Sequence, residues 1–432
     1  MNISLKKRLI VCFVGVLLTL CFHYFISEQM EFVTYSNGNL RIQDYAYHII
    51  IVKAFWFDGF GDIYKLSFQQ QTLSAYIGSQ IFTVMPLGIT PIALVVWLPF
   101  AYAARFSMAF SYTLWITFSL GILITAFRNI LQNFYRNKNL PILPITLSLV
   151  TLFSAATFRA LQLGQTSVLA AGLLIHLIYF VHKTAKQSES NNFLIISFLI
   201  FMLGMKPTHI ALGMGLLMIY GMWREAIYSV AIVFVLLIGI TPFLTIEWVP
   251  SYLNLLHIYS LGKFPEFYAW SIVPETMNIF RSAFRSFIGD NIAGMISNIV
   301  SYSVYIGVVG MSILFKIKNN SINKLYFISI SRDQLFVVLV GSYLLFAPYA
   351  GAYEDVLFLP VFLTVLIVGN TPSLTNYKSQ VLIFALLIIL LQSYFPLDKP
   401  LWLFWILKAL IIGYMLHFCG FTPVETKDTV ES

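Results

Sequence analysis

The sequence predicts an all-α, polytopic integral membrane protein, and three observations carry that prediction. Of the 432 residues 59% are hydrophobic and only 10% charged, with a mean hydropathy of +0.82, far from the composition of a water-soluble domain. Apolar runs recur from residue 9 to residue 416, and lipid favours helices there because it offers the backbone no other hydrogen-bond partners. The 39 Phe and 24 Tyr suit rings that face lipid or sit at its interfaces.

Residues 9–25 form the first apolar run, behind Lys6, Lys7 and Arg8. No small-x-small cleavage site follows, so this run is expected to stay as a first helix with a cytoplasmic N-terminus. Residues 28–80 then make a long polar loop, where Gln43 to Phe57 is expected as an amphipathic helix. Pro86, Pro91 and Pro99 break the start of the stretch 84–127. That part is expected as an interfacial or re-entrant segment, with one crossing over 104–127. Later crossings are expected at 144–158, 166–180, 193–204, 210–222, 227–246, 292–315, 335–347, 356–368, 381–394 and 401–416. The total is about twelve, in one domain spanning residues 1–421, with a short cytoplasmic tail over 422–432.

Basic segments at 128–138, 183–186 and 316–324 set the orientation. Spread this way, the formal charge of +8 reflects topology and does not point to nucleic acid. Cys12, Cys21 and Cys419 lack metal or disulfide spacing and read as buried small side chains. Alternating the crossings places GQTS (164–167), KPTH (206–209), a second large loop at 247–290 and PYAGAYED (348–355) on the outer side, beside the loop 28–80.

The polar residues gathered there are the candidates for chemistry. Asp44 and His48 lie four apart, on one face of the expected helix. The Asp44 carboxylate suits a general base, or a cap for that helix. Asp58 and Asp62 flank Gly59 and Gly61 before Tyr64, as turn-formers or substrate contacts. Two such carboxylates lack the further ligands a divalent ion needs, so no metal or other cofactor is expected. Lys206, beside a proline between apolar runs, suits a phosphate. Arg281 and Arg285, four apart, suit a phosphate or lipid headgroups. Gln165 stands at a helix entrance, fit for capping or for a sugar contact; Tyr353 and Glu354 border the same presumed cavity.

In their order these features resemble a GT-C superfamily glycosyltransferase, and within it family 87. The resemblance rests on Asp44, GDIY (61–64), MPLGITPIALVVWLP (85–99), LGQTS (163–167), GMKP (204–207) and NIFRSAFR (278–285). It departs at PYAGAYED, where the family often has a histidine; Tyr353 or Glu354 would take that place. The resemblance implies a GT-C-type helical bundle and an inverting hexosyltransferase, by default a mannosyltransferase. Its donor would be a polyprenyl-phosphate sugar and its acceptor a glycolipid or glycan, at the outer face of a bacterial inner membrane. It implies Asp44 as base, with Lys206 and Arg281 on the donor phosphate. The competing readings are a polymerase or ligase of lipid-linked saccharides, and a transporter or flippase, which predicts internal repeats not evident here.

Overall fold

The computed structural model describes residues 33–34, 40–41, 44–59, 61–77, 89–134, 154–186, 192–245, 247–261, 279–320, 331–347, 352–368 and 401–420. Helices dominate these residues. The departure from an all-α chain is a pair of two-residue strands, β1 (Val33–Thr34) and β2 (Leu40–Arg41), antiparallel with Val33 opposite Arg41. They flank the Asn37-Gly38-Asn39 stretch, whose composition favours a reversal.

Helix α1 (Asp44–Lys53) passes into a π-helical turn, Ala54–Asp58, and stops at Gly59, whose φ of 130° favours glycine. The expected amphipathic helix is corrected here. Tyr45, Tyr47, every residue from Ile49 to Val52, Ala54 and Phe55 are buried, so α1 is enclosed nearly all round. Helix α2 (Leu66–Ile77) follows, one side buried through Gln69, Thr72 and Leu73.

The proline-broken stretch yields two six-residue helices, α3 (Pro91–Val96) and α4 (Leu98–Ala103). Each has a proline in its first turn, where the missing N–H costs no helical bond. Neither is long enough to cross a membrane. The expected crossing over 104–127 is α5 (Met108–Phe134). The expected crossing 144–158 does not run through: Ser154 caps a new helix, α6 (Ala155–Leu163), by accepting the Thr157 N–H at 3.1 Å. Helix α7 (Ser167–Lys186) leaves α6 at a bend of 119°.

Then come α8 (Phe193–Leu203), α9 (Pro207–Ile219), α10 (Trp223–Ile240), α11 (Trp248–Leu261), α12 (Ile279–Ile288) and α13 (Asp290–Asn320). They are followed by α14 (Arg332–Phe346), a 3-10 turn at Ala352–Leu357, α15 (Phe358–Val368) and α16 (Leu401–Gly420). Among the described residues three helices are long and apolar enough to cross a membrane, Met108–Ile130, Trp223–Phe243 and Asp290–Ile317. Counted as one broken span, the bent pair α6–α7 brings the number to four. That is fewer than the expected total, because several apolar helices, such as α8 and α9, stop at 11 and 13 residues. The expected crossings 9–25 and 381–394 lie outside the described residues.

Small residues bring the helices together. A Cβ on Gly172 of α7 would meet the Leu123 backbone of α5 at 2.9 Å, and one on Gly341 of α14 would meet Ile412 of α16 at 2.8 Å. Such close approach is how apolar helices associate where lipid supplies no hydrophobic drive.

Candidate active site

The site is assembled at breaks between helices. Gly164 ends α6 in the left-handed region, with φ 65°. Its N–H donates to Leu161 O at 2.9 Å and the Gln165 N–H donates to Ala160 O at 2.8 Å, the pair of bonds that closes a glycine-terminated helix. A Cβ at Gly164 would lie 2.3 Å from the Tyr45 Cβ. The glycine therefore lets the bend dock directly on α1. Docked there, the Gln165 amide donates to Asp44 Oδ2 at 2.5 Å, with both residues buried. Tyr45 anchors the same end of α1, its hydroxyl donating to Ser111 O at 2.9 Å.

A second break carries the cation. Gly204 ends α8, and a Cβ there would meet Ile92 Cδ1 at 2.6 Å. Thr90 clasps this loop: its N–H donates to Met205 O at 3.1 Å and its hydroxyl to Gly204 O. Lys206 follows in extended conformation as the N-cap of α9, with Pro207 in the first turn. Its Nζ meets Glu354 Oε1 at 2.5 Å, and His209 Nε2 meets Glu354 Oε2 at 3.1 Å. The Glu354 side chain is 0% exposed and that of Lys206 17%.

Burial opposes charge on Glu354, yet Lys206 and His209 hold its pKa well below the usual carboxylate range. The 3-10 turn that carries Glu354 packs against α6 and α7. The two breaks thus come together around that turn, and Asp44 and Lys206 interact electrostatically.

His48, one turn along α1 from Asp44, interacts with both. Its ring stacks on Trp97, centroids 4.8 Å apart, and although the residue keeps some exposure, its Nδ1 is enclosed without a hydrogen-bond partner. Burial pushes its pKa down to about 4, against the pull of Asp44 and with the help of Lys206.

The other sequence candidates take separate places. Asp62 is buried in the turn, Oδ1 accepting the Tyr64 N–H at 3.1 Å and Oδ2 the Ser251 hydroxyl at 2.8 Å. Tyr64 packs on Tyr252, ring centroids 4.9 Å apart, and its enclosed hydroxyl has no hydrogen-bond partner. Asp58 accepts from the Tyr76 hydroxyl. Arg281 forks onto Asp290, Nε to Oδ1 at 2.7 Å with its second bond to Oδ2. Arg285 lies one turn further along α12, half-buried. The Tyr353 side chain lies outside the described residues.

The sequence reading assigns no role to His209, though its place three residues after Lys206 at the start of a helix puts the two side by side. Trp97 and Thr90 are likewise unselected. Both fall in an apolar, proline-spaced stretch where nothing marks them apart from core residues.

A helical membrane chain that gathers a carboxylate, a lysine and an imidazole in one mostly buried cluster has the equipment of a membrane-bound enzyme. The model of glycosyltransferase family 87 matches residues 90–310, just over half of the chain and including Gln165, Lys206, Arg281 and Arg285. The chain belongs to that family and is a glycosyltransferase, a hexosyltransferase by activity. No curated protein and no solved structure matches it.

Proposed function

We propose that the enzyme transfers a hexose, mannose by the family's default, from a polyprenyl-phosphate donor to a glycolipid or glycan acceptor, inverting the anomeric centre. The observation that carries this reading is the buried Asp44 carboxylate, held by Gln165 and in electrostatic interaction with Lys206. In the reaction Asp44 takes the acceptor hydroxyl proton as that oxygen bonds to the anomeric carbon. The bond from that carbon to the phosphate oxygen breaks, and its electron pair leaves with the lipid phosphate.

Lys206 stabilises the departing charge in a site screened from water. An ammonium has three donors, so its bond to Glu354 is compatible with a phosphate contact. Arg281 joins the phosphate only by exchanging Asp290 for it, with Arg285 one turn away. Neutral His48 suits a sugar hydroxyl, and Asp62 and Tyr64 shape the neighbouring turn. Tyr353 is a further substrate contact in this reading.

About twelve crossings would complete the bundle, with the site at the outer face of a bacterial inner membrane; the basic segments and the GT-C resemblance support this. A lipid-borne donor explains an enclosed site among apolar helices, because the isoprenoid chain partitions into the bilayer. The test is Asp44→Asn in vesicles supplied with a polyprenyl-phosphate hexose and acceptor lipids. Turnover is expected to fall by about 10²-fold or more with donor binding retained. Near-normal turnover sinks the assignment of Asp44.

A further inference from the structure

Beside Glu354 lies a second buried ion pair, on a helix outside every motif considered above. Lys408 of α16 donates to Asp355 Oδ1 at 2.6 Å, and both side chains are almost wholly enclosed, at 1% and 0% exposure. The other oxygen of Asp355, Oδ2, is buried without a hydrogen-bond partner. Consecutive residues of one 3-10 turn therefore present two carboxylates, Glu354 to Lys206 and His209, Asp355 to Lys408. The two carboxylates also interact electrostatically, so the turn couples the two pairs.

We infer that Lys408 is a positioning residue for the transfer reaction: it engages Asp355 so that Glu354 keeps its hold on Lys206. The inference rests on the proposed role of Lys206 at the donor phosphate. An uncompensated buried carboxylate is costly, and without Lys408 a shift of the turn that carries Asp355 toward Lys206 relieves that cost. Lys206 then gains a further acidic neighbour beside Glu354 and Asp44, which draws it from a phosphate oxygen and lowers its power to stabilise the leaving group. Because that stabilisation grows as the bond breaks, the loss falls mainly on kcat.

The experiment compares Lys408→Met, Lys408→Met with Asp355→Asn, and Lys206→Met, as full chains in vesicles, by initial rate against donor concentration per folded protein. Lys408→Met is expected to lose about 10-fold or more in kcat, and adding Asp355→Asn, which removes the competing charge, is expected to restore most of it. A merely structural pair predicts the loss and its rescue in unfolding temperature alone, with kcat per folded protein unchanged in both variants. That outcome, or wild-type kcat in Lys408→Met while Lys206→Met is crippled, overturns the inference and leaves the phosphate reading standing. Wild-type rates in Lys206→Met overturn the phosphate reading and this inference with it.

Discussion

Replacing Gly164 with alanine puts the docking of α6 on α1 under direct test. The added Cβ faces two costs. An L side chain in the left-handed region at φ 65° costs about 1–2 kcal/mol. The same atom would sit 2.3 Å from the Tyr45 Cβ and 2.9 Å from its Cγ. The nearest obstruction is the root of the side chain, so no rotamer change relieves it, and the backbone of α1 or the bend must move. Overpacking of this kind costs about 1–3 kcal/mol, for a total of about 2–5 kcal/mol.

Asp44 precedes Tyr45, so the same displacement pulls its carboxylate from Gln165; a misplacement of about 1 Å can cost about 10²-fold in rate. The assay is thermal unfolding in detergent beside turnover per folded protein. Gly121→Ala in α5, where an added Cβ meets nothing within 4 Å, serves as the neutral control. Wild-type stability and turnover in Gly164→Ala would refute the docking argument.

Two further outcomes are expected. Glu354→Gln leaves Lys206 largely buried without its counter-ion and should cost about 3–5 kcal/mol, seen as a lowered unfolding temperature; an unchanged temperature would show that the pair adds nothing. His48 has a folded pKa of about 4, below its ordinary 6.5, so neutral burial contributes stability in full above pH 6.5, lost as pH falls toward 4. His48→Phe should flatten that acid slope between about pH 6.5 and 4, and an identical slope in the variant would contradict the burial of a neutral imidazole.

The motifs were legible because each combines a residue with chemistry and one with backbone meaning. Gly164 before Gln165, and Gly204 and Pro207 around Lys206, mark helix breaks in any reading of the sequence. What lay beyond it were the contacts between those breaks. The Asp44–Gln165 bond spans 121 positions and the Lys206–Glu354 bond 148, and no local pattern encodes a pairing at that separation. The enclosure of α1 was hidden for a related reason: an apolar stretch in a loop reads as one-sided until the helices that cover its second side are known. Asp290 as the partner of Arg281 was in principle visible, nine residues along the chain, but required the sharp turn at Gly289, φ 84°, between α12 and α13.

The enclosure of α1 also dictates an order of biogenesis. Asp44 arrives early in synthesis, yet Gln165, Lys206 and Glu354 emerge far later, and each must be in place before these contacts can form. Long-range contacts of this kind form late because loop closure must precede any gain from them. Nascent chains released before residue 354 would therefore insert helices without acquiring the ability to transfer sugar. Under the proposed mechanism, activity switches on only near the end of translation.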